Sequence, residues 1–463
     1  MKKLMSLAAK TALGAFLLIL LLSIVSLAPV DHSAWEATVL ARELESALNA
    51  IRTQTNVVVG QLRAGFGRAK LTPNLGATVN DPEQGFFQAL PLAGYGARKG
   101  RPATGFHDDL WAKAVALAVN GRTGIMVSAD ALIIPREVAE MTVDRLKARG
   151  IQRSNLYFGA THAHSSIGGW GRGVVAEAFA GGFVPESRAW FARQLALAAE
   201  AALDDLSPAH AGVAFFASTN HVKNRLVGER GSIDAGFRIL KIIQEDGDHA
   251  VLGSYSAHAT VLPASVMQFS GDYPGAWAAT MEKNGCALAL FFAGGVGSHS
   301  PRAGAPAWEG VERMGAELAR FTKAALKQIE PTNHVAFGLV TLPLRLPALQ
   351  VRISDGVRLR PWLASLLLPV EKQTIVQALR LGDATWLSTP CDFSGELAMS
   401  LAIPDDRKRV TAVTSFNGDY IGYVIPSKYY HMAGYEPRTM SFFGPQMPQY
   451  MVAALQGVYQ AVW

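Results

Sequence analysis

Apolar positions along this chain fall into two alternating rhythms. Short, almost continuous apolar runs at residues 123–128, 155–160, 239–243, 251–257 and 287–293 have the length and composition of buried strands. Between them, residues 136–149, 187–206 and 308–329 repeat their apolar side chains every three or four positions, as a helix lying on a sheet does. Strand-like runs return at 335–346 and 379–388, beyond Pro331-Thr332-Asn333, the one internal seam. The alternation predicts an α/β fold in which mixed β-sheets are layered with helices. One large domain is expected over residues 65–463.

The first segment has a different pattern. Lys2, Lys3 and Lys10 precede an uncharged stretch, 11–30, dense in Leu, Ile and Val. About twenty such residues suffice to cross a bilayer. Basic residues before it and Asp31 and Glu36 after it place the N-terminus inside and the remainder outside. Residues 1–32 are therefore expected to be an N-terminal signal anchor with a transmembrane helix, or a cleaved signal peptide. On either reading the rest of the chain is exported to the extracytoplasmic side. In 33–64, Leu40, Leu44, Leu48 and Ile51 keep helical spacing, with no Pro or Gly before Gly60, which predicts a helical linker or a first domain helix.

Composition narrows the function classes. Of 463 residues, 49% are hydrophobic and only 17% charged, enough apolar material for a very large core. The formal charge is +6, and no basic run interleaves with aromatics, which argues against nucleic acid as a partner. The two cysteines, Cys286 and Cys391, lie in no metal or redox spacing and are either one disulfide or two buried thiols.

Candidate chemistry collects at strand ends. Thr161-His162-Ala163-His164 follows the apolar run at 155–160, and residues i and i+2 of a strand share a face, so both imidazoles would reach one site. His258 closes 251–257, Gly294-Gly295-Val296-Gly297-Ser298-His299-Ser300-Pro301 follows 287–293, and Asp392 follows 384–390. Ligands of open α/β sheets gather in crevices at strand carboxyl ends. Two histidines and a carboxylate around zinc, with a position left for water, fit this set and point to a zinc hydrolase of unstated substrate.

Taken in order, the motifs resemble the neutral/alkaline (non-lysosomal) ceramidase family over roughly residues 65–445. Gly65-Phe66-Gly67-Arg68-Ala69-Lys70-Leu71-Thr72-Pro73 is similar to the family's opening, and Gly105-Phe106-His107-Asp108-Asp109 to its next block. Thr161-His162-Ala163-His164 with Gly168-Gly169 resembles a T-H-T-H-S-G-P-G-G signature. Asn224-Arg225, His258-Ala259-Thr260, Ser270-Gly271-Asp272-Tyr273-Pro274-Gly275, Pro390-Cys391-Asp392-Phe393-Ser394 and Asp419-Tyr420-Ile421-Gly422-Tyr423 follow in family order.

The resemblance implies one zinc ion per chain, held by His162, His258, Asp392 (where the family has Glu) and Tyr423. It implies that His164, Arg225 and Tyr435 surround the scissile amide and that Ser300 matches the serine of the family's G-D-V-S-P. The nucleophile is either that serine or water activated by zinc, and the second is preferred because no base can be placed beside the serine from sequence. The implied activity is hydrolysis of ceramide to a sphingoid base and a fatty acid. A zinc amidase for another N-acyl lipid or N-acyl amino acid, and a non-catalytic lipid-binding relative, are the alternatives. Ser298 and His299 depart from the family loop, and the family's C-terminal β-sandwich domain is expected to be absent.

Overall fold

Why the chain needs so large an apolar fraction is evident from its sheet, which is covered on its outer face and folded over on its inner one. The structure, a computed structural model, describes residues 2–368, 370–405 and 408–463. Among these, twelve strands join one sheet: β1 (Val57–Lys70), β2 (Trp111–Val119), β3 (Arg122–Ala129), β4 (Leu156–Ala160), β5 (Ser207–Ala217), β6 (Gly236–Gln244), β7 (His249–Tyr255), β8 (Leu288–Ala293), β9 (His334–Arg345), β10 (Gln373–Leu381), β11 (Ala384–Ser388) and β12 (Val410–Thr414). The main path runs β8-β7-β6-β5-β1-β9-β10-β11-β12, and β2, β3 and β4 extend from the second half of β1. Three pairs are parallel, β3 with β4, β7 with β8 and β11 with β12; the other pairs are antiparallel.

Strand alternation separates two cores. In β2, Ala112, Ala114 and Ala116 face the helices α3 (Arg136–Leu146) and α5 (Pro185–Asp204), while Val115, Leu117 and Val119 face inward. The inward residues meet Leu240, Leu252, Phe292, Phe337 and Trp386 from the other strands, so the sheet curls over its own interior. Helices α6 (Asp272–Lys283) and α7 (Ala307–Leu326) cover β6 to β8, and α2 (Val39–Arg52) with α10 (Met447–Gln460) covers β9 and β10. Alanine on β2 is matched by Gly65 and Gly67 on β1. A Cβ at Gly67 would lie 2.2 Å from the Ala198 carbonyl oxygen, so α5 packs backbone against backbone there.

The expected strands at 123–128, 155–160, 239–243, 251–257 and 287–293 are found within a few residues of their predicted ends. Three expectations change, the first being the run at 379–388, which a turn at Gly382-Asp383 divides between the end of β10 and β11. The helix of 33–64 stops at Arg52, and Val57 onward is the central strand β1, because Val57-Val58-Val59 is β-branched and favours an extended backbone. Nor is α2 a free linker, since Leu44 and Leu48 are buried against α10 and β9. The seam at 331–333 is no boundary either: Thr332 bridges to Ala211, and Leu62 donates to the Asn333 carbonyl. Cys286 and Cys391 are free, buried thiols, and burial raises the pKa of both.

At the N-terminus α1 (Lys2–Ser26) is helical, and Leu27–Pro29 then pairs with Val357–Leu359. Among the described residues no helix is long and apolar enough to cross a membrane, so the spanning anchor expected over 11–30 finds no support here.

Candidate metal centre

The carboxyl ends of the parallel strand pairs meet at one place. Thr161, just past β4, donates to the Ala129 carbonyl at the end of β3, and Ser415, just past β12, donates to the Ala293 carbonyl at the end of β8. Into this meeting point come His162 and His164 after β4, His258 after β7, and Asp392 after β11. Strand alternation is not what aligns the first two. β4 ends at Ala160 and His162 has φ 62°, a left-handed turn rare outside glycine. His164 still reaches the same point, and its ring lies 4.8 Å from that of His162.

The ring nitrogens of three histidines converge on one point. His162 Nδ1 is 2.7 Å from the Leu132 carbonyl and His258 Nδ1 is 3.2 Å from the Val296 carbonyl. A carbonyl only accepts, so both Nδ1 atoms carry a proton and both Nε2 atoms are turned toward the other histidines. Those Nε2 atoms lie 2.7 Å apart. His164 Nε2 lies 3.3 Å from one and 3.0 Å from the other. Asp392 Oδ1, buried and accepting no hydrogen bond, lies 3.3 Å from His162 Nε2. Burial, reinforced by the neighbouring imidazoles and Arg225, holds the pKa values of His164 and His258 well below the usual imidazole value, so both are neutral at pH 7.

Imidazole nitrogens and a carboxylate oxygen without a hydrogen bond around one point are what a divalent cation requires. His162, His164 and His258 form the grouping of metal-ligating side chains found among the described residues. The backbone carbonyls behind two of the rings fix their tautomer and aim, as supporting groups do at metal sites.

Tyr423 stands beside Asp392, because Asp392–Phe393 and Tyr423–Val424 pair in parallel with these two residues in register. Its phenol oxygen accepts from Arg225 Nη2 at 3.1 Å, and Arg225 Nε pairs with Glu436 at 3.0 Å. Burial and the Asp392 charge push the Tyr423 phenol well above its ordinary pKa, so without a cation it keeps its proton. Tyr435 lies at the rim, half-exposed, with its ring 5.8 Å from that of Tyr423; burial raises its phenol to about 12. Glu396, the other carboxylate near Asp392 in sequence, is engaged elsewhere, by Asn224 at 2.7 Å and Lys428 at 3.1 Å.

Ser300 is not brought in. A Cβ at Gly297 would lie 2.3 Å from the Asp392 carbonyl oxygen, so the loop after β8 passes close under the site as bare backbone. It then leaves to pair with Val222–Asn224, where Ser300 lies opposite Lys223. Ser298 is buried and hydrogen-bonded to His299 and Ser394. Neither serine lines the cavity described next.

The histidines lie at the polar end of a cavity of about 750 Å³. Its polar lining includes His162, His164, His258, Asp392, Arg225, Tyr420, Tyr423 and Tyr435, and its apolar walls are Leu132, Ile133, Val174, Val175, Phe179, Val351, Leu367, Leu368, Met440 and Phe442. Such a shape fits a long amphiphile carrying one reactive polar group.

Residues 75–290 match the sequence model of the family described as neutral/alkaline non-lysosomal ceramidase, N-terminal. The chain resembles the neutral ceramidases. The neutral ceramidase of Pseudomonas aeruginosa superposes with a TM-score of 0.69 at 18% identity, covering 87% of this chain and 74% of that one. A structure described as ceramidase complexed with C2 gives 0.71 at 18% identity, with 87% and 75% covered. At this identity the likeness concerns the ceramidase fold. No curated protein matches the chain.

Three contributors to the site were given no role by the motifs. Tyr420 donates to Asp392 Oδ2 at 2.8 Å, Phe416 stacks on His162 with ring centres 4.2 Å apart, and the Leu132 carbonyl orients His162. Tyr420 alone had a signal, as a neighbour of Tyr423 in a tyrosine-rich stretch.

Proposed function

We propose that this chain is a zinc-dependent amide hydrolase that cleaves the N-acyl bond of ceramide-like lipids, giving a sphingoid base and a fatty acid. The observation that carries the reading is the convergence of three imidazole nitrogens and a carboxylate oxygen without a hydrogen bond in a cavity with largely apolar walls. His162, His258, Asp392 and Tyr423 would hold the ion. When bound, zinc lowers the pKa of water to about 7 and polarises a carbonyl oxygen.

The chain's own residues would do the rest. The apolar walls hold the acyl chain and keep bulk water from the amide. His164, neutral because it is buried, accepts a proton at Nε2 from the attacking water and delivers it to the leaving nitrogen. Arg225 and Tyr435 stabilise the oxyanion or hold the polar head. A bond from the acyl carbon to oxygen forms, the carbon–nitrogen bond breaks, and the amine leaves with the transferred proton. Water is preferred over serine as nucleophile, because neither Ser298 nor Ser300 lines the cavity. The basic-then-apolar start of the chain supports an extracytoplasmic location.

The test is fatty-acid release from a short-chain ceramide, with and without a zinc chelator. Chelator-sensitive release is expected, together with about one zinc per chain, and His162→Ala should lose the metal and at least about a thousandfold of activity while remaining folded. Zinc bound without ceramide cleavage would overturn the substrate and turn attention to other N-acyl amides. Activity that survives in His162→Ala would overturn the metal assignment.

A further inference from the structure

We propose that the mouth of the cavity is a lipid-docking surface, formed by helix α8 (Pro361–Leu367) and the end of α1, through which substrate enters from the plane of the bilayer. This rests on the lipid-amide reading above. Leu367 lines the cavity, and its neighbours Leu366 (73% exposed) and Trp362 (55% exposed) leave much of their apolar surface uncovered. Val174, also on the cavity wall, is 85% exposed. Large apolar side chains grouped around one opening mark an interaction surface, whereas single exposed ones do not.

The identity of the covering phase follows from α1. From Phe16 to Val25 its described large apolar side chains are exposed at consecutive positions, so it is apolar on every side rather than along one stripe. A helix of that kind needs an apolar surrounding and not one partner groove. Its end is tied to α8: Arg360 N donates to the Ser26 carbonyl, Arg360 Nε to that of Ile24, and Trp362 Nε1 to that of Val25. The apolar helix and the cavity mouth therefore form one continuous surface. A tryptophan, a leucine-rich turn and an exposed arginine side by side have the composition of a segment lying in a membrane interface.

The experiment uses the full chain with Leu366→Cys carrying an environment-sensitive fluorophore; Cys286 and Cys391 are buried, so labelling is selective. Phosphatidylcholine vesicles containing a minority of phosphatidylglycerol are the probe. A blue shift and brightening at position 366 are expected, with no change for a label at Val79→Cys, an exposed position outside the patch. An unchanged label at 366 on protein that sediments with the vesicles would overturn the proposal. So would failure to sediment, or self-association of the chain in place of vesicle binding. A second arm compares Trp362→Glu/Leu366→Glu with the parent. Hydrolysis of a long-chain ceramide in vesicles should fall at least about tenfold, while release from a monomeric short-chain ceramide stays within about twofold. Equal loss on both substrates would overturn it. The fluorescence arm needs no turnover, so failure of the ceramide reading would leave it intact.

Discussion

Asp392 shows how much one side chain can be asked to do at this site. One oxygen is fixed by the Tyr420 hydroxyl and the other is left bare beside His162. Asp392→Asn keeps the size and the acceptor but removes the charge, so zinc affinity should fall by about ten- to a hundredfold, read by competition with a chromogenic chelator. Elsewhere, Asp130 is buried under the end of β3, and burial raises its pKa from the ordinary 3.8 to about 7. Between those values the folded state holds a proton that the unfolded state has released. Its contribution to stability is therefore full below about pH 4 and lost as pH rises through about 7. Asp130→Asn retains the acceptor for the Trp111 amide. It should gain up to about 3 kcal/mol over the parent at pH 8 and little at pH 4, read by denaturant melts at the two pH values.

At the scale of elements, the contact of α5 on β1 depends on missing side chains. Gly67→Ala would drive a methyl to 2.2 Å from the Ala198 carbonyl and 2.5 Å from the Ala202 amide. A loss of about 2 kcal/mol or more is expected, visible as a lower urea midpoint, because backbone on both sides must shift. Buried strands and the helices that cover them were legible in the sequence, since apolar period and length distinguish them. The central strand was less so: Leu40 to Ile51 is helical in period, and only the β-branched Val57-Val58-Val59 marks where the pattern changes. The placement of the histidines and of Asp392 at strand ends was legible because strand ends are where open sheets expose side chains, whereas Tyr423 was suggested only by the resemblance to the ceramidase family. The fate of Ser300 was not. The sequence of the loop after β8 does not reveal that Gly297 passes under Asp392, which sends the serines elsewhere.

For the whole molecule, the site draws on residues from 162 to 423 and lies where both arms of the sheet end. An ion bound there should stabilise the entire fold. Zinc at a hundred times its dissociation constant should add about 2.7 kcal/mol and raise the melting temperature in one cooperative transition; a chelator should reverse this, and His162→Ala should abolish it. The cavity itself could not be foreseen from motifs, because its walls come from single apolar residues on α8, on the 174–179 segment and near 440, each unremarkable in its own stretch.

The division of the donors has a further consequence. Of the four proposed ligands, His162 and His258 precede the exposed turn at 353–356, while Asp392 and Tyr423 follow it. Were the backbone opened at that turn, neither piece would own a complete ligand set, and the ion would become the ligature between two polypeptides.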